Sequence, residues 1–257
     1  FPLKIGDGPE FFLGNITNAL ERFSQDLKKN INPKNVAVFV SSQQYARKVS
    51  RDKIQGKGDY LFAKFILESD AISNHNAFIG QQNGICISIN DGCMITYSAD
   101  HGKTIDRLQG YGFPVSDTAG NYWLGCEAIK HVVRVKELRE PESLVSDRLL
   151  ALFNDDLIAL CASALEVSQS TYLQASAIVK ELASQEEKAH NMVKKSFDLL
   201  FDDVQVIDTK LGATLPIFIS GELGYLYEVF FPKERLIQIK ERQSSILLKY
   251  GLSQLRA

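Results

Sequence analysis

The segment that most constrains this chain is residues 85–97, ICISINDGCMITY, where apolar residues alternate with others on both sides of Asn90-Asp91-Gly92. A period of two sends alternate side chains to opposite faces of a strand. The Asn-Asp-Gly between the two runs is turn chemistry. The segment is therefore predicted to fold back on itself as a β-hairpin, and loop length decides its register. A two-residue loop would pair Ile89 with Met94 and Ile87 with Thr96, mixing the faces. A three-residue loop, with Gly92 left-handed, pairs Ile89 with Cys93, Ile87 with Ile95 and Ile85 with Tyr97. That register gathers the apolar side chains on one wall, so it is the expected one.

The flanking sequence supplies both helices and strands. Phe12, Ile16, Leu20, Phe23 and Leu27 recur at helical spacing after Asp7-Gly8-Pro9, and Asn32-Pro33 ends that helix. Residues 35–40 read as a buried strand, and residues 42–70 as mostly helical, interrupted at Gly56-Lys57-Gly58. Beyond the turn at 117–121, residues 122–135 read as a further strand, because Val133 and Val135 alternate with Arg134 and Lys136. Residues 78–137 are thus predicted to form an antiparallel meander of about four strands. The charged stretch 136–143, with Pro141, is the expected boundary. Residues 144–202 read as helices, with β patterns at 204–207, 215–219 and 225–231 and a closing amphipathic helix after Pro232. The predicted fold is α+β in two lobes. Residues 1–137 would be an antiparallel meander with flanking helices, and residues 138–257 a helix-rich lobe with a short β-sheet.

Composition narrows the function classes. With 45% apolar and 23% charged residues and a net charge of −2, the chain has the balance of a globular domain. No apolar run approaches the roughly 18 residues of a membrane span. Cys86, Cys93, Cys126 and Cys161 are scattered and form no Cys-x-x-Cys pair, so free buried thiols are expected, with no metal and no cofactor. The expected compartment is the cytoplasm. The opening Phe1 leads to the expectation of a processed chain or an excised piece of a longer one.

Two motifs overlap in residues 98–104. Gly102-Lys103-Thr104 looks like the end of a phosphate-binding loop, but such a loop needs glycine five residues before Gly102, and that position is Tyr97. Ser98-x-Asp100-x-Gly102-x-Thr104 resembles the Asp-box turn of sialidase-like propellers. A single copy in a helix-rich chain implies a hairpin near 96–106 rather than a propeller. Of the histidines, His101 lies beside Asp100 and within reach of an anion held with Lys103. Cys126 and His131 are five apart on one predicted strand, so they point to opposite faces and cannot act as thiolate and base. Glu187-x-x-His190 has the spacing of one half of a diiron site, but the second motif is missing. Residues 28–64 carry a local positive excess, including Lys34, Arg47, Lys48, Lys57 and Lys64.

The order of helix, strand, helix and meander is similar to sensory modules of the PAS and GAF kind, a similarity of order with no diagnostic motif. With no convincing nucleophile–base set, metal cluster or phosphate loop, and with a meander able to cup a small ligand, the expected function is a non-catalytic regulatory, ligand-sensing or interaction module that takes a small-molecule ligand or a protein partner. Tyr97, Asp100, His101, Lys103, Trp123 and His131 are the candidate ligand-binding residues. A second reading is an enzyme whose site is assembled from sequence-distant residues, using His101 or His131 with Asp100 or Glu127. A third is nucleic-acid binding through the basic segment 28–64, which would weaken with salt.

Overall fold

The computed structural model describes residues 9–42, 48–166, 169–237, 239 and 241–256. The fold is mixed α and β, as predicted. The chain divides into two compact units, residues 1–78 with 239–257 and residues 79–238. The boundary expected at 137/138 falls inside the second unit.

The first unit begins with α1 (Pro9–Asp26), continues through β1 (Ala37–Ser42), α2 (Lys48–Leu61), β2 (Lys64–Ser69) and α3 (Asp70–Phe78), and regains the chain at α10 (Gln243–Arg256). β1 and β2 run parallel, in register from Ala37 opposite Lys64 to Ser42 opposite Ser69. Parallel neighbours need a crossover, and α2 provides it. Within the span 42–70 read as mostly helical, Ser42 ends β1 and α2 covers Lys48–Leu61, running through Gly56-Lys57-Gly58 without the expected interruption. Phe65 and Leu67 then alternate with less buried neighbours at strand spacing, and with Phe12, Leu13, Val40, Ile54 and Phe62 they form this unit's core.

In the second unit the sheet order is β5-β4-β3-β6, from β3 (Gly84–Ile89), β4 (Cys93–Ser98), β5 (Asp106–Gln109) and β6 (Ile217–Ser220). The hairpin pairs Ile89 with Cys93, Ile87 with Ile95 and Ile85 with Tyr97, the three-residue register expected from the apolar pattern. β6 joins β3 in parallel, Ile85 opposite Ile217 through Ser88 opposite Ser220, and the two hydroxyls of Ser88 and Ser220 bond at 2.8 Å. All six residues of β3 are buried.

Helices α4 (Asn121–Lys136), α5 (Leu144–Ala151), α6 (Leu157–Ala164), α7 (Ser170–Leu182), α8 (Glu187–Leu211) and α9 (Gly224–Glu228) complete this unit. The strand expected at 122–135 is α4. Leu124, Ala128, Val132 and Val135 are buried at spacings of three and four, and the alternation at 133–136 reflects only the end of that stripe. In the same way Val204 and Ile207, three apart, lie on the buried face of α8, and Tyr225 enters α9. Of the three late β patterns only the middle one is a strand. The meander therefore has three antiparallel strands, and its fourth neighbour comes from residue 217 onward. Among the described residues no helix is long and apolar enough to cross a membrane.

Candidate functional site

Because β3 and β6 run parallel, residues 90–92 and 221–223 leave the sheet at the same end, where ligands of α/β proteins bind. The amino end of α4 meets them there. Asn121 and Tyr122 donate their amides to the carbonyls of Asn90 and Asp91 at 2.9 and 3.1 Å. Leu223 donates to the carbonyl of Ile89 at 3.1 Å, and the amide of Glu222 to Asn90 Oδ1 at 2.9 Å. Two glycines make this convergence possible. A Cβ on Gly120 would overlap the Asp91 carbonyl, and Gly221, at φ +96°, lies against the Ile89 carbonyl.

Side chains from α7 brace the same turn. Ser176 Oγ donates to Asn121 Oδ1 at 2.7 Å, and Asn121 Nδ2 donates to Asp91 Oδ1 at 3.3 Å. One helical turn further, Lys180 Nζ donates to Glu222 Oε1 at 2.6 Å. Ser176 and Asn121 are buried, whereas Asp91 is half-buried and open to solvent. Asp117, beside Gly92, has a different role. It is buried, and its Oδ1 accepts the amides of Gly110 and Gly112 at 2.9 and 3.3 Å, which fixes the loop after β5. Beneath that loop Gln109 bonds Thr118 and Asp203. Burial raises the Asp203 carboxyl above its ordinary value against the lowering effect of Gln109.

The predicted site residues lie elsewhere and form two groups. Gly84 pairs with Ser98, so the turn at 98–104 is at the opposite end of the sheet from residues 90–92. Its Asp-box bonding is present: Ser98 Oγ donates to Asp100 Oδ1, and the amides of Gly102 and Thr104 donate to Ser98 Oγ and Asp100 Oδ1, each at 2.9 Å. His101 (φ +61°) and Lys103 are exposed on this turn, and Tyr97 OH is buried against Lys210 Nζ at 2.8 Å. Trp123 and His131 are on α4, and Lys195 Nζ stands 5.6 Å from the Trp123 ring centroid. Glu127 pairs with Lys130 and Lys195 rather than with a histidine.

The bond from Thr104 holds the Asp100 carboxyl down at about 2. A native carboxyl that titrates below its unfolded value stabilises the fold fully above that unfolded value, about 4. The contribution then fades as pH falls toward 2. Asp100→Ala is expected to flatten the acid limb of stability between pH 4 and 2 while leaving the difference from wild type constant above pH 5. Melts at closely spaced pH values check this, and an unchanged acid limb would remove the assigned role.

His131 is fully buried, with Nδ1 2.6 Å from Glu140 Oε2 and Nε2 2.7 Å from Ser143 Oγ. Lys188 foremost, with His131 and Arg134, holds Glu140 ionised, its carboxyl at about 2. An ionised Glu140 can only accept, so Nδ1 carries the proton and Ser143 donates to Nε2. Burial lowers the His131 pKa, which keeps the ring neutral. The bonding order is that of a Ser-His-acid triad, but two features assign it to structure. Ser143 Oγ accepts the Ser146 amide as the cap of α5, at 3.1 Å. The Leu144 amide, which would face an oxyanion, donates to Glu186 Oε1 at 2.6 Å. The cluster braces α4 against α5.

In the basic segment, Lys57 pairs with Glu10, Lys34 bonds the Tyr60 carbonyl and Lys64 bonds the carbonyls of Gln254 and Leu255. Arg47 and the side chain of Lys48 lie outside the described residues. No cluster of three metal-ligating side chains exists among the described residues. At the corresponding end of β2 in the first unit stands Asp70, in the first turn of α3, with Oδ1 accepting the Ala71 amide at 2.8 Å.

No protein-family model matches the sequence, and no curated protein matches it. The fold is similar to that of a protein from Chromobacterium violaceum provisionally named an N-acetylglucosamine kinase. The TM-score is 0.77 at 17% identity, over 97% of this chain and 87% of that one. A protein from Porphyromonas gingivalis, named in the same way, gives 0.71 at 13% identity, over 95% and 84% of the two chains. At these identities the likeness is one of fold. It nevertheless corrects the sensory reading. The sheet is closed by a parallel strand from late in the chain and α4 replaces the fourth meander strand, so the regulatory, non-catalytic interpretation built on that meander does not stand.

Proposed function

We propose that this chain is an enzyme that transfers a phosphoryl group from a nucleoside triphosphate to a hydroxyl of a small sugar, with an N-acetylated amino sugar as the first candidate. The observation that carries the proposal is the fold, shared over nearly the whole chain with proteins named as N-acetylglucosamine kinases. The site supports it chemically. Asp91, Asn121, Ser176 and Glu222 are far apart in sequence and converge at the carboxyl ends of β3 and β6. That is the sequence-distant assembly of the second reading, with other residues.

Phosphoryl transfer asks mainly for positioning and charge stabilisation, with one group to take the hydroxyl proton. In the proposed reaction the sugar oxygen attacks the terminal phosphorus and Asp91 accepts its proton. The new P–O bond forms as the bond to the nucleoside diphosphate breaks. Asn121, itself held by Ser176, aims the Asp91 carboxylate. Magnesium would arrive with the nucleotide as part of the substrate. The cytoplasm, where ATP is plentiful, is the compartment that suits this chemistry.

The test is ADP release from ATP with N-acetylglucosamine, glucosamine or glucose. At least one sugar is expected to raise ADP release above the nucleotide-only rate. No sugar-dependent release, together with no thermal shift by ATP or any of the sugars, would sink the proposal.

A further inference from the structure

We infer that Lys180 is a phosphate-binding cation of this site, held by Glu222 until a phosphate-bearing ligand displaces that carboxylate. The ligand class rests on the kinase reading, and the geometry does not. Ser176 and Lys180 are four residues apart and share one face of α7. Ser176 reaches the β3–β4 turn through Asn121, and Lys180 reaches it through Glu222, whose amide is pinned to Asn90 Oδ1.

The two partners of the ion pair are unequal. The Lys180 side chain is 19% exposed and that of Glu222 is 61% exposed. Glu222 can rotate into water, and a pair with so exposed a partner contributes little. Lys180 has less freedom, because most of its side chain is packed while the pair itself lies at the surface. The pair is therefore easily opened from the glutamate side, which leaves the ammonium to another anion. Phosphate brings more charge and more acceptor oxygens than a carboxylate. A purely structural account also exists: Lys180 lies in the last turn of α7, where the helix dipole favours a cation. That account makes Lys180 matter for stability and not for ligand affinity.

Calorimetric titration with sodium tripolyphosphate and with ADP separates the two. Lys180→Gln is expected to weaken tripolyphosphate binding by about tenfold or more, the scale of a charge-assisted hydrogen bond. Lys180→Arg should stay near wild type. Glu222→Gln should bind more tightly, because the competing carboxylate is gone. The proposal is overturned if wild type binds neither probe, if Lys180→Gln binds like wild type, or if Glu222→Gln fails to bind more tightly. Should Lys180→Gln fail to fold, Glu222→Gln decides alone: tighter binding supports the exchange, and unchanged or weaker binding overturns it. Lys180-dependent binding without sugar-dependent turnover would uphold the phosphate site and remove only the kinase reading.

Discussion

Replacing Gly125 with alanine is expected to lower the stability of the second unit by about 3 kcal/mol, or about 6–12 °C in melting temperature. In an isolated helix the same change would stabilise by about 1 kcal/mol, because glycine is the poorer helix former. The sign reverses here because α4 and α7 touch through their backbones. A Cβ on Gly125 would overlap the Tyr172 carbonyl oxygen and lie 2.6 Å from its carbon and 2.7 Å from its Cα. A flexible side chain could turn away, but a backbone carbonyl inside a helix cannot move without its helix. Separating the helices would open the contact that buries Leu124, Ala128, Ala175 and Val179. Gly56→Ala in α2 is the matched control, since nothing lies within 4 Å of its added Cβ. It should be neutral or stabilising by up to about 1 kcal/mol. Melts of the two variants side by side check the claim. If Gly125→Ala behaved like Gly56→Ala, the close approach of α4 and α7 would be wrong.

That glycine also shows where sequence reasoning stops. The hairpin was legible because its evidence is local: four isoleucines at alternate positions, a three-residue turn and a rule that alternate residues share a face. The Asp-box turn at 98–104 was legible for the same reason, each partner lying within four residues of the next. α4 was not. Its last four residues alternate apolar and charged as a strand would, and its small residues at Gly125 and Ala128 signal a close helix contact only once α7 is known to lie there. The parallel pairing of β3 with β6 joins residues about 130 positions apart, and nothing local announces it. The candidate site follows from that pairing. Asp91 looks like any turn residue until residues 221–223 emerge beside it, Asn121 until Ser176 holds it, and Lys180 until Glu222 is opposite. Individually polar side chains take on a chemical role through topology, so the sequence carries no local nucleophile set, metal cluster or phosphate loop and reads as non-catalytic.

Asp91→Asn is expected to cut sugar-dependent ADP release by about 100-fold or more, the lower end of what a lost general base costs. Its melting temperature should stay within about 2 °C of wild type, because half-exposed surface substitutions of similar shape change stability little. An asparagine at 91 keeps an oxygen for the Asn121 amide and removes only the ability to take a proton. The loss should therefore fall on kcat, with KM for the sugar nearly unchanged. Asn121→Ala should give a smaller loss, since it frees the carboxylate to wander without removing it. Asp117→Asn is the contrasting case. Its carboxylate is buried against the Gly110 and Gly112 amides, so its substitution should show first as a lower melting temperature. Asp70→Asn supplies the decisive comparison, because Asp70 also stands at the carboxyl end of a parallel strand. If Asp70→Asn abolished turnover while Asp91→Asn retained it, the proton acceptor would be Asp70. If neither changed kcat, general-base catalysis by a strand-end carboxylate would be ruled out.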